Sequence, residues 1–472
     1  MSHFSIEYCR QHEVFVALDM TENPRLLHTD ECPPPICDLV GRVLRCPLRT
    51  EHIDSDALTL LMNTAYEEKV TAENQVQAAD AVSLEELFGE SKVDRDDLLE
   101  SDSLGPVVQL VNSLLLDAIQ RRASDVHLQP FEESMVVRMR VDGVLNEVSQ
   151  IPKSMQEEVV SRLKVAGQMN IAEKRLPQDG RATVCVGNRV IDLRLASMPT
   201  SFGERVVVRL LDKSARLYEL SELGLDPRTL ARFIEVIHAE HGLMLVTGPT
   251  GSGKSTTLYA ALQELDTDTR NAVTLEDPIE YQLDGISQTQ INTKKGMTFA
   301  SGLRSVLRQD PDIIMLGEIR DEETAMMAVQ SSLTGHLVFS TLHTNDAASA
   351  ITRMLDLGIE PYLVSSSVLG VLAQRLVRRS CEACKGNRKP SASSLCKSCG
   401  GTGYRGREVI CELLVIDDTV RDLIQESANA SSIRDAGLAA GMRLLRDVGL
   451  EKVDQGITTL EEIERVTMRT AL

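Results

Sequence analysis

Leu243-Met244-Leu245-Val246-Thr247-Gly248-Pro249-Thr250-Gly251-Ser252-Gly253-Lys254-Ser255-Thr256 is the stretch that decides the fold. Its first five residues read as a buried strand. Gly248 to Ser255 then fits G-x-x-x-x-G-K-[ST] at every position. Glycines in such a loop let backbone N–H groups close around phosphates, and the helix that starts at Lys254 aims its positive end at them. On this reading Gly248, Pro249, Thr250, Gly251, Ser252, Gly253 and Thr256 form a cradle for phosphates. Lys254 reaches the β- and γ-phosphates, and the Ser255 hydroxyl holds Mg²⁺.

Outward from the loop, strand and helix alternate. Apolar runs predict strands at residues 243–247, 272–276, 312–316 and 337–341. Helices are expected at 254–265, 322–333 and 346–355. Such alternation implies a parallel sheet covered on both faces, an α/β domain over residues 225–376. Upstream, residues 105–211 read as an α+β domain. Val107, Leu110, Val111, Leu114 and Leu115 recur at helical spacing behind Pro106. Strands follow at residues 135–141, running into the turn Asp142-Gly143, and at 190–195 and 205–211. Residues 1–72 form a small separate module, broken early by Pro33-Pro34-Pro35, with a helix expected at 58–70. Residues 73–104 read as an acidic, solvated linker with one short amphipathic helix at 84–88, and 212–224 as a second linker. Residues 377–411 hold paired cysteines, and 412–472 read as a helical tail.

Composition narrows the partners. A chain of 472 residues has room for several domains. A net charge of −20 and the absence of Trp argue against broad nucleic-acid binding, which needs a basic footprint and stacking platforms. No apolar run approaches the roughly 18 residues of a spanning helix. The start Met1-Ser2-His3-Phe4-Ser5-Ile6-Glu7 lacks a signal-peptide pattern, so the expected location is cytoplasmic, with the membrane reached only through protein partners.

Four further elements carry chemistry. In Asp312-Ile313-Ile314-Met315-Leu316-Gly317-Glu318-Ile319-Arg320-Asp321 an acid follows a buried strand, where ligands of parallel sheets bind. Gly317 takes the place where many P-loop enzymes have Asp, so Glu318 orients or activates water. Thr274-Leu275-Glu276-Asp277-Pro278-Ile279-Glu280-Tyr281 clusters three acids after another strand. Glu276, Asp277 and Glu280 are all candidates to support Mg²⁺ or water, and spacing does not separate them. His336 and His343 bracket the strand at 337–341, and His343, at its carboxyl end, is the one placed to sense the γ-phosphate. Cys381-x-x-Cys384 and Cys396-x-x-Cys399, eleven residues apart, supply four thiolates for a structural Zn²⁺. Two rival readings of these knuckles are redox chemistry and a nucleic-acid-binding ribbon. The second draws on Arg375, Arg378, Arg379, Lys385, Arg388 and Lys389 around them.

These motifs, in this order, resemble the secretion ATPase family, which includes the type II secretion and type IV pilus assembly ATPases. The resemblance covers about residue 98 to the C-terminus. It extends to Ala123-Ser124-Asp125-Val126-His127, to Arg138, Arg140 and Asp142-Gly143, to Leu176-Pro177-Gln178-Asp179-Gly180-Arg181, and to Gly203-Glu204-Arg205. It implies a RecA-like P-loop motor domain, a preceding PAS-like second N-terminal domain, and a Cys₄ zinc-binding insert of structural role. Eleven residues between the knuckles is fewer than in many relatives. The resemblance further implies a homohexamer that hydrolyses ATP to power pseudopilus assembly in type II secretion. Arg194 and Arg209 would approach the nucleotide phosphates from the second N-terminal domain. The partners implied are inner-membrane platform proteins and the cytoplasmic domain of a bitopic membrane protein, with no nucleic acid. Asp97-Leu98-Leu99-Glu100 looks like the secretion branch, and a pilus-extension ATPase is the alternative. A zinc-ribbon nucleic-acid translocase is the rival of another class. Intact Lys254, Ser255 and Glu318 weigh against a non-hydrolysing regulator.

Overall fold

The computed structural model describes residues 14–17, 25–29, 49–54, 82–83, 105–186, 189–212, 218–267, 269–386, 396 and 398–467. The proline break at 33–35, the helices expected at 58–70 and 84–88, nearly all of the acidic linker, the Asp97–Glu100 stretch and most of the chain between the two Cys pairs lie outside the described residues. The chain divides into two compact units: residues 1–105 with 182–191, and residues 106–181 with 192–472.

In the first unit, β1 (Val14–Ala17), β2 (Arg25–His28) and β3 (Arg49–His52) form a sheet in that order, antiparallel then parallel. A short β4 (Val82–Ser83) pairs in parallel with Val184–Cys185, near the end of the longer strand β8 (Gln178–Val186).

The second unit begins with the helix Pro106–Gln120, with Pro at its first position and Val111, Leu114, Leu115, Ala118 and Ile119 buried. Strands β5 (Ala123–Pro130), β6 (Ser134–Val141), β7 (Val144–Pro152), β9 (Arg189–Thr200) and β10 (Gly203–Asp212) run in the spatial order β9-β10-β5-β6-β7. The turn expected at Asp142-Gly143 is a two-residue hairpin loop, both residues at positive φ (47° and 83°). That geometry matches the twist of the flanking strands and suits Asp-Gly.

The α/β core follows. Strands β11 (Gly242–Thr247), β12 (Ala272–Glu276), β13 (Ser287–Gln290), β14 (Ile313–Leu316), β15 (Leu337–Leu342), β16 (Val368–Ser380) and β17 (Tyr404–Val415) form one sheet in the order β13-β12-β14-β15-β11-β16-β17. The first six run parallel and β17 is antiparallel to β16. The sheet is therefore mixed, where alternation alone implied a parallel one. β16 runs through residue 376, and the Cys pairs sit where the β16–β17 hairpin ends.

All six residues of β11 are buried. Alternate strand residues point to opposite faces, so an unbroken apolar run needs cover on both sides. Leu243 and Leu245 pack with Leu275, Ile314, Leu316 and Ile351. Met244 and Val246 pack on the other face with Phe233, Leu258, Met315 and Phe339. Asp residues start the covering helices. Asp226 accepts from Arg228 N and Thr229 N, Asp321 from Thr324 N at 2.8 Å, and Asp346 from Ser349 N at 2.8 Å. Each such cap contributes about 1 kcal/mol.

The terminal helix Leu460–Thr467 is tied to β16 by Glu462, whose side chain is fully buried. It accepts from Arg378 N at 3.0 Å, Arg378 Nη2 at 2.7 Å and Arg465 Nη2 at 2.6 Å. Burial alone would raise its pKa, but the two guanidiniums outweigh it and hold the carboxyl at about 2. A depressed carboxyl contributes stability above its unfolded pKa that is lost as pH falls through the folded one. The wild type is expected to lose urea stability between pH 4.5 and about 2. The Glu462→Gln variant, less stable at pH 7, should lose less over that interval.

Candidate active site

The strand order places the carboxyl ends of β12, β14, β15 and β11 side by side, so their following loops share one edge. Ligands bind at this edge in open α/β sheets. The four sequence elements meet there in a cleft of 390 Å³. From the loop after β11 come Thr250, Gly251, Gly253, Lys254, Ser255 and Thr256. From β12 and its continuation come Glu276, Asp277 and Glu280. Gly317 and Glu318 follow β14, and His343 follows β15. Gly248, Pro249 and Ser252 belong to the same loop without facing the cleft.

The P-loop takes the shape its glycines allow. Gly248, Gly251 and Gly253 stand at φ 147°, 77° and 89°. A Cβ on Gly248 would lie 2.5 Å from the Gln374 carbonyl oxygen. The helix Lys254–Glu264 begins directly after Gly253. Lys254 Nζ donates to the carbonyls of Gly248 at 2.8 Å and Pro249 at 3.1 Å, so it lies folded over its own loop. Burial lowers its pKa to about 8, with the Glu318 carboxylate opposing and Arg375 adding to the shift.

Glu318 is held from two sides. Arg320 Nη2 donates to Oε1, and His343 Nε2 lies 3.3 Å from Oε2. Burial pushes its pKa up, but Arg320 and His343 prevail, and the carboxyl stays below the usual range. Gly317 lies between the end of β14 and the acid. A Cβ there would stand 3.3 Å from the Leu275 carbonyl oxygen and 3.5 Å from the Phe299 ring, a tight fit that favours glycine.

The three acids after β12 separate by environment. Glu276 is buried and accepts from Thr274 Oγ1, Tyr259 OH and Gln288 Nε2. Three donors on one buried carboxylate suit a structural anchor. Asp277 is exposed and contributes to the field around Arg320. Glu280 has its pKa raised by desolvation, against the pull of Arg194 and Arg209 and with a push from Glu276. Arg194 of β9 and Arg209 of β10 thus contribute positive field at the acid cluster. Arg209 is paired with the buried Asp125 of β5, Nε to Oδ1 at 2.9 Å.

His336 lies at the amino end of β15, its Nδ1 2.8 Å from the Ser331 carbonyl oxygen, away from the cleft.

Sequence reasoning gave no role to Tyr259, Gln288, Arg320 or Gln374. Gln374 is a fully buried amide in the apolar run of β16, and that break in the run was its one signal. Its Nε2 donates to the Ser252 carbonyl at 2.8 Å, and its Oε1 accepts from Thr257 Oγ1 at 2.8 Å. Arg375, grouped by sequence with the basic residues around the knuckles, is instead buried beside the cleft and donates to the Asn345 Oδ1 at 3.0 Å. Arg378 is bound to Glu462 and lies over the Tyr404 ring at 4.1 Å, and Arg379 pairs with Glu382 and Glu408. Arg388 and Lys389 lie outside the described residues.

The four cysteines converge. Cys381 and Cys396 Sγ are 3.9 Å apart, Cys384 and Cys399 Sγ 3.7 Å, and all four lie within 4.8 Å of one another. A tetrahedron of sulfurs at ~2.3 Å from a metal has edges of about 3.8 Å. Cys381 N donates to the Gly403 carbonyl at 2.9 Å and Gly403 N to Cys399 Sγ at 3.3 Å, which joins the knuckles to the hairpin. The set fits a metal ion held by four thiolates.

Comparison with known proteins agrees with this architecture. Residues 100–465 match the family described as Type II/IV secretion system protein. The Type II secretion system protein HxcR of Pseudomonas aeruginosa is 51% identical over 428 residues, 90% of this chain and 91% of that protein. The Type II secretion system ATPase E of Vibrio cholerae is 48% identical over 450 residues, 89% of each. The Type IV pilus assembly ATPase PilB of Thermus thermophilus is 48% identical over 75% of this chain but 42% of its own length. Among solved structures, the Legionella pneumophila ATPase DotB shares the fold at 22% identity and TM-score 0.59, over 76% of this chain and 96% of its own. The pilus retraction motor PilT, with bound ADP, aligns at 27% identity and TM-score 0.52, over 75% of this chain and 96% of its own. With its P-loop cleft and a family match over most of its length, the chain belongs to the Type II/IV secretion system protein family of ATPases.

Proposed function

We propose that this chain is the motor ATPase of a type II secretion machine, a homohexamer whose nucleotide cycle drives pseudopilus assembly at the inner membrane. The observation that carries this reading is the cleft, where a P-loop, an acid cluster, Glu318 and His343 share one sheet edge. Relatives matched over about nine tenths of both lengths are type II secretion proteins, whereas the pilus ATPase is matched over 42% of its length. That difference favours secretion over pilus extension.

In this reading the P-loop amides take the phosphates, and Lys254 leaves the Gly248 and Pro249 carbonyls for the β- and γ-phosphate oxygens. With a pKa of about 8 it is largely protonated at neutral pH, as that role requires. Ser255 and the cleft carboxylates are the groups that would hold Mg²⁺, which offsets charge on the phosphates. Glu318, ionised well below neutrality, orients the attacking water rather than taking its proton early. Its clasp with Arg320 and His343 has to loosen for this, which makes His343 a sensor of the γ-phosphate. Of the acids, Asp277 and Glu280 remain available for water or Mg²⁺, and Glu276 fixes their loop. Arg209 exchanges Asp125 for phosphate oxygens as domains close, with Arg194 beside it, and so links domain angle to nucleotide state. Residues 1–72 would dock on the cytoplasmic domain of a bitopic membrane protein, with 73–104 as tether. Residues 105–211, 225–376, 377–411 and 412–472 would form the second N-terminal domain, the motor, the metal subdomain and the helical tail.

The knuckles would hold Zn²⁺, the ion for which four thiolates form a closed structural site. Engagement of Arg375 and Arg378 inside the fold favours this over a nucleic-acid ribbon.

Purified protein should hydrolyse ATP without stimulation by DNA or RNA, and strong stimulation would favour the translocase reading. Glu318→Gln should lower turnover by about 10²–10⁴-fold with nucleotide affinity retained, read by phosphate release and ADP titration. Arg209→Ala should reduce turnover while leaving ADP affinity close to wild type, and unchanged turnover would remove Arg209 from the mechanism. Elemental analysis should find one zinc per chain, lost in Cys396→Ser together with heat resistance of the β16–β17 hairpin followed by hydrogen exchange.

A further inference from the structure

We propose that Gln374 is a positioning residue that sets the phosphate-binding geometry of the P-loop from behind. The proposal rests on the cleft being the ATP site. Gln374 lies on β16, the strand next to β11, and is 1% exposed. An uncharged amide placed so deep stays only if both its ends are bonded. Both are, and both bonds go to the loop or to the helix behind it. Nε2 donates to the Ser252 carbonyl, and Oε1 accepts from Thr257 Oγ1, each at 2.8 Å. The Ser252 carbonyl, which can only accept, fixes the Nε2 end of the amide toward the loop, and the Thr257 hydroxyl, itself 1% exposed, holds the other end.

The consequence follows from peptide geometry. The carbonyl of Ser252 and the N–H of Gly253 belong to one planar trans peptide, so they point in opposite directions. Holding the carbonyl against β16 turns the Gly253 N–H toward the cleft that Gly253 lines. Gly253 needs this freedom, standing at φ 89°, and a Cβ there would lie 3.2 Å from Gln374 Nε2. The main chain of Gln374 adds a second support, its carbonyl oxygen filling the space a Cβ on Gly248 would need. Two of the three glycines that shape the loop, Gly248 and Gly253, therefore rest on one residue. A preorganised donor costs nothing to orient when the anion arrives, whereas a loose one must be ordered at that moment.

The test uses the full chain, with Mg·ADP titrated by calorimetry and ATP turnover measured beside it. Gln374→Leu removes the donor at similar size. Its Kd for ADP and its KM for ATP should rise about tenfold, the loss expected for a misdirected charge-assisted hydrogen bond. Its kcat at saturating ATP should stay within about threefold, because the groups around Glu318 are untouched. Thr257→Val leaves Gln374 in place but tied at one end only, its buried Oε1 unbonded, and should weaken ADP binding in the same direction by a smaller factor. The double variant should bind no worse than Gln374→Leu, since both act through one amide. A merely structural role would lower the melting temperature without nucleotide and leave KM unchanged, and that pattern overturns the proposal. Should Gln374→Leu fail to fold, unchanged ADP affinity in Thr257→Val overturns it alone. Failure of the wild type to bind ADP would overturn the ATP-site reading instead.

Discussion

The buried polar backbone of β11 sets the conditions for everything around it. Six consecutive residues without solvent contact leave their N–H and C=O groups no partner but another strand. β15 and β16 supply those partners on either side, both in parallel. Parallel neighbours need crossover helices, and helices on both faces bury the alternate residues of each strand. All carboxyl ends then fall on one edge, and the loops that leave it become neighbours regardless of their distance in sequence. Residues as remote as Lys254, Glu318 and His343 share a cleft for that reason.

A few polar side chains within these apolar strands bind the loops to each other. Thr247 Oγ1 donates to the Leu342 carbonyl and accepts from Thr344 N, which joins the P-loop strand to the His343 turn. Thr341 Oγ1 donates to the Gly317 carbonyl at 2.7 Å, which fixes the turn that presents Glu318. Gln374 does the same for the P-loop and Glu276 for the acid loop. Each of these groups would cost free energy if buried alone, and each is bonded. Glu412 extends the pattern. Buried on β17, it accepts from Ala347 N at 2.8 Å and from Leu445 N at 3.1 Å, so one carboxylate starts two helices. Burial raises its pKa, with those backbone donors opposing. The helix after His343 and the helical tail are thereby joined through a single side chain.

Strand and helix positions in the core were legible because long apolar runs and Asp or Pro caps leave strong local signals. The strand at Ala272–Glu276 and the helix at Glu322–Leu333 fall where periodicity put them. β13 was not foreseen, since Ser287-Gln288-Thr289-Gln290 is a polar edge strand with no apolar alternation to reveal it. β16 and β17 were not foreseen either. Their runs are interrupted by Gln374, Arg375 and Glu412, charged or amide groups that look like surface until their partners are seen. Arg375 shows the limit best. Its neighbours in sequence are basic and border the knuckles, but its strand carries it to the buried side of the nucleotide cleft.

By itself the sequence determined the ligand chemistry and the kinds of element: a phosphate loop, acids beyond buried strands, and two thiol pairs at metal-binding spacing. These are local patterns, set by backbone freedom at glycine and by the period of apolar residues. Only the tertiary structure decided which groups are already committed. It engaged Glu276 with Tyr259, Thr274 and Gln288, clasped Glu318 between Arg320 and His343, paired Arg209 with Asp125, and set Gln374 behind the P-loop. Partners such as Tyr259 and Glu276, 17 residues apart, or Gln374 and Ser252, 122 apart, leave no trace in spacing, because strand order rather than sequence separation makes them neighbours.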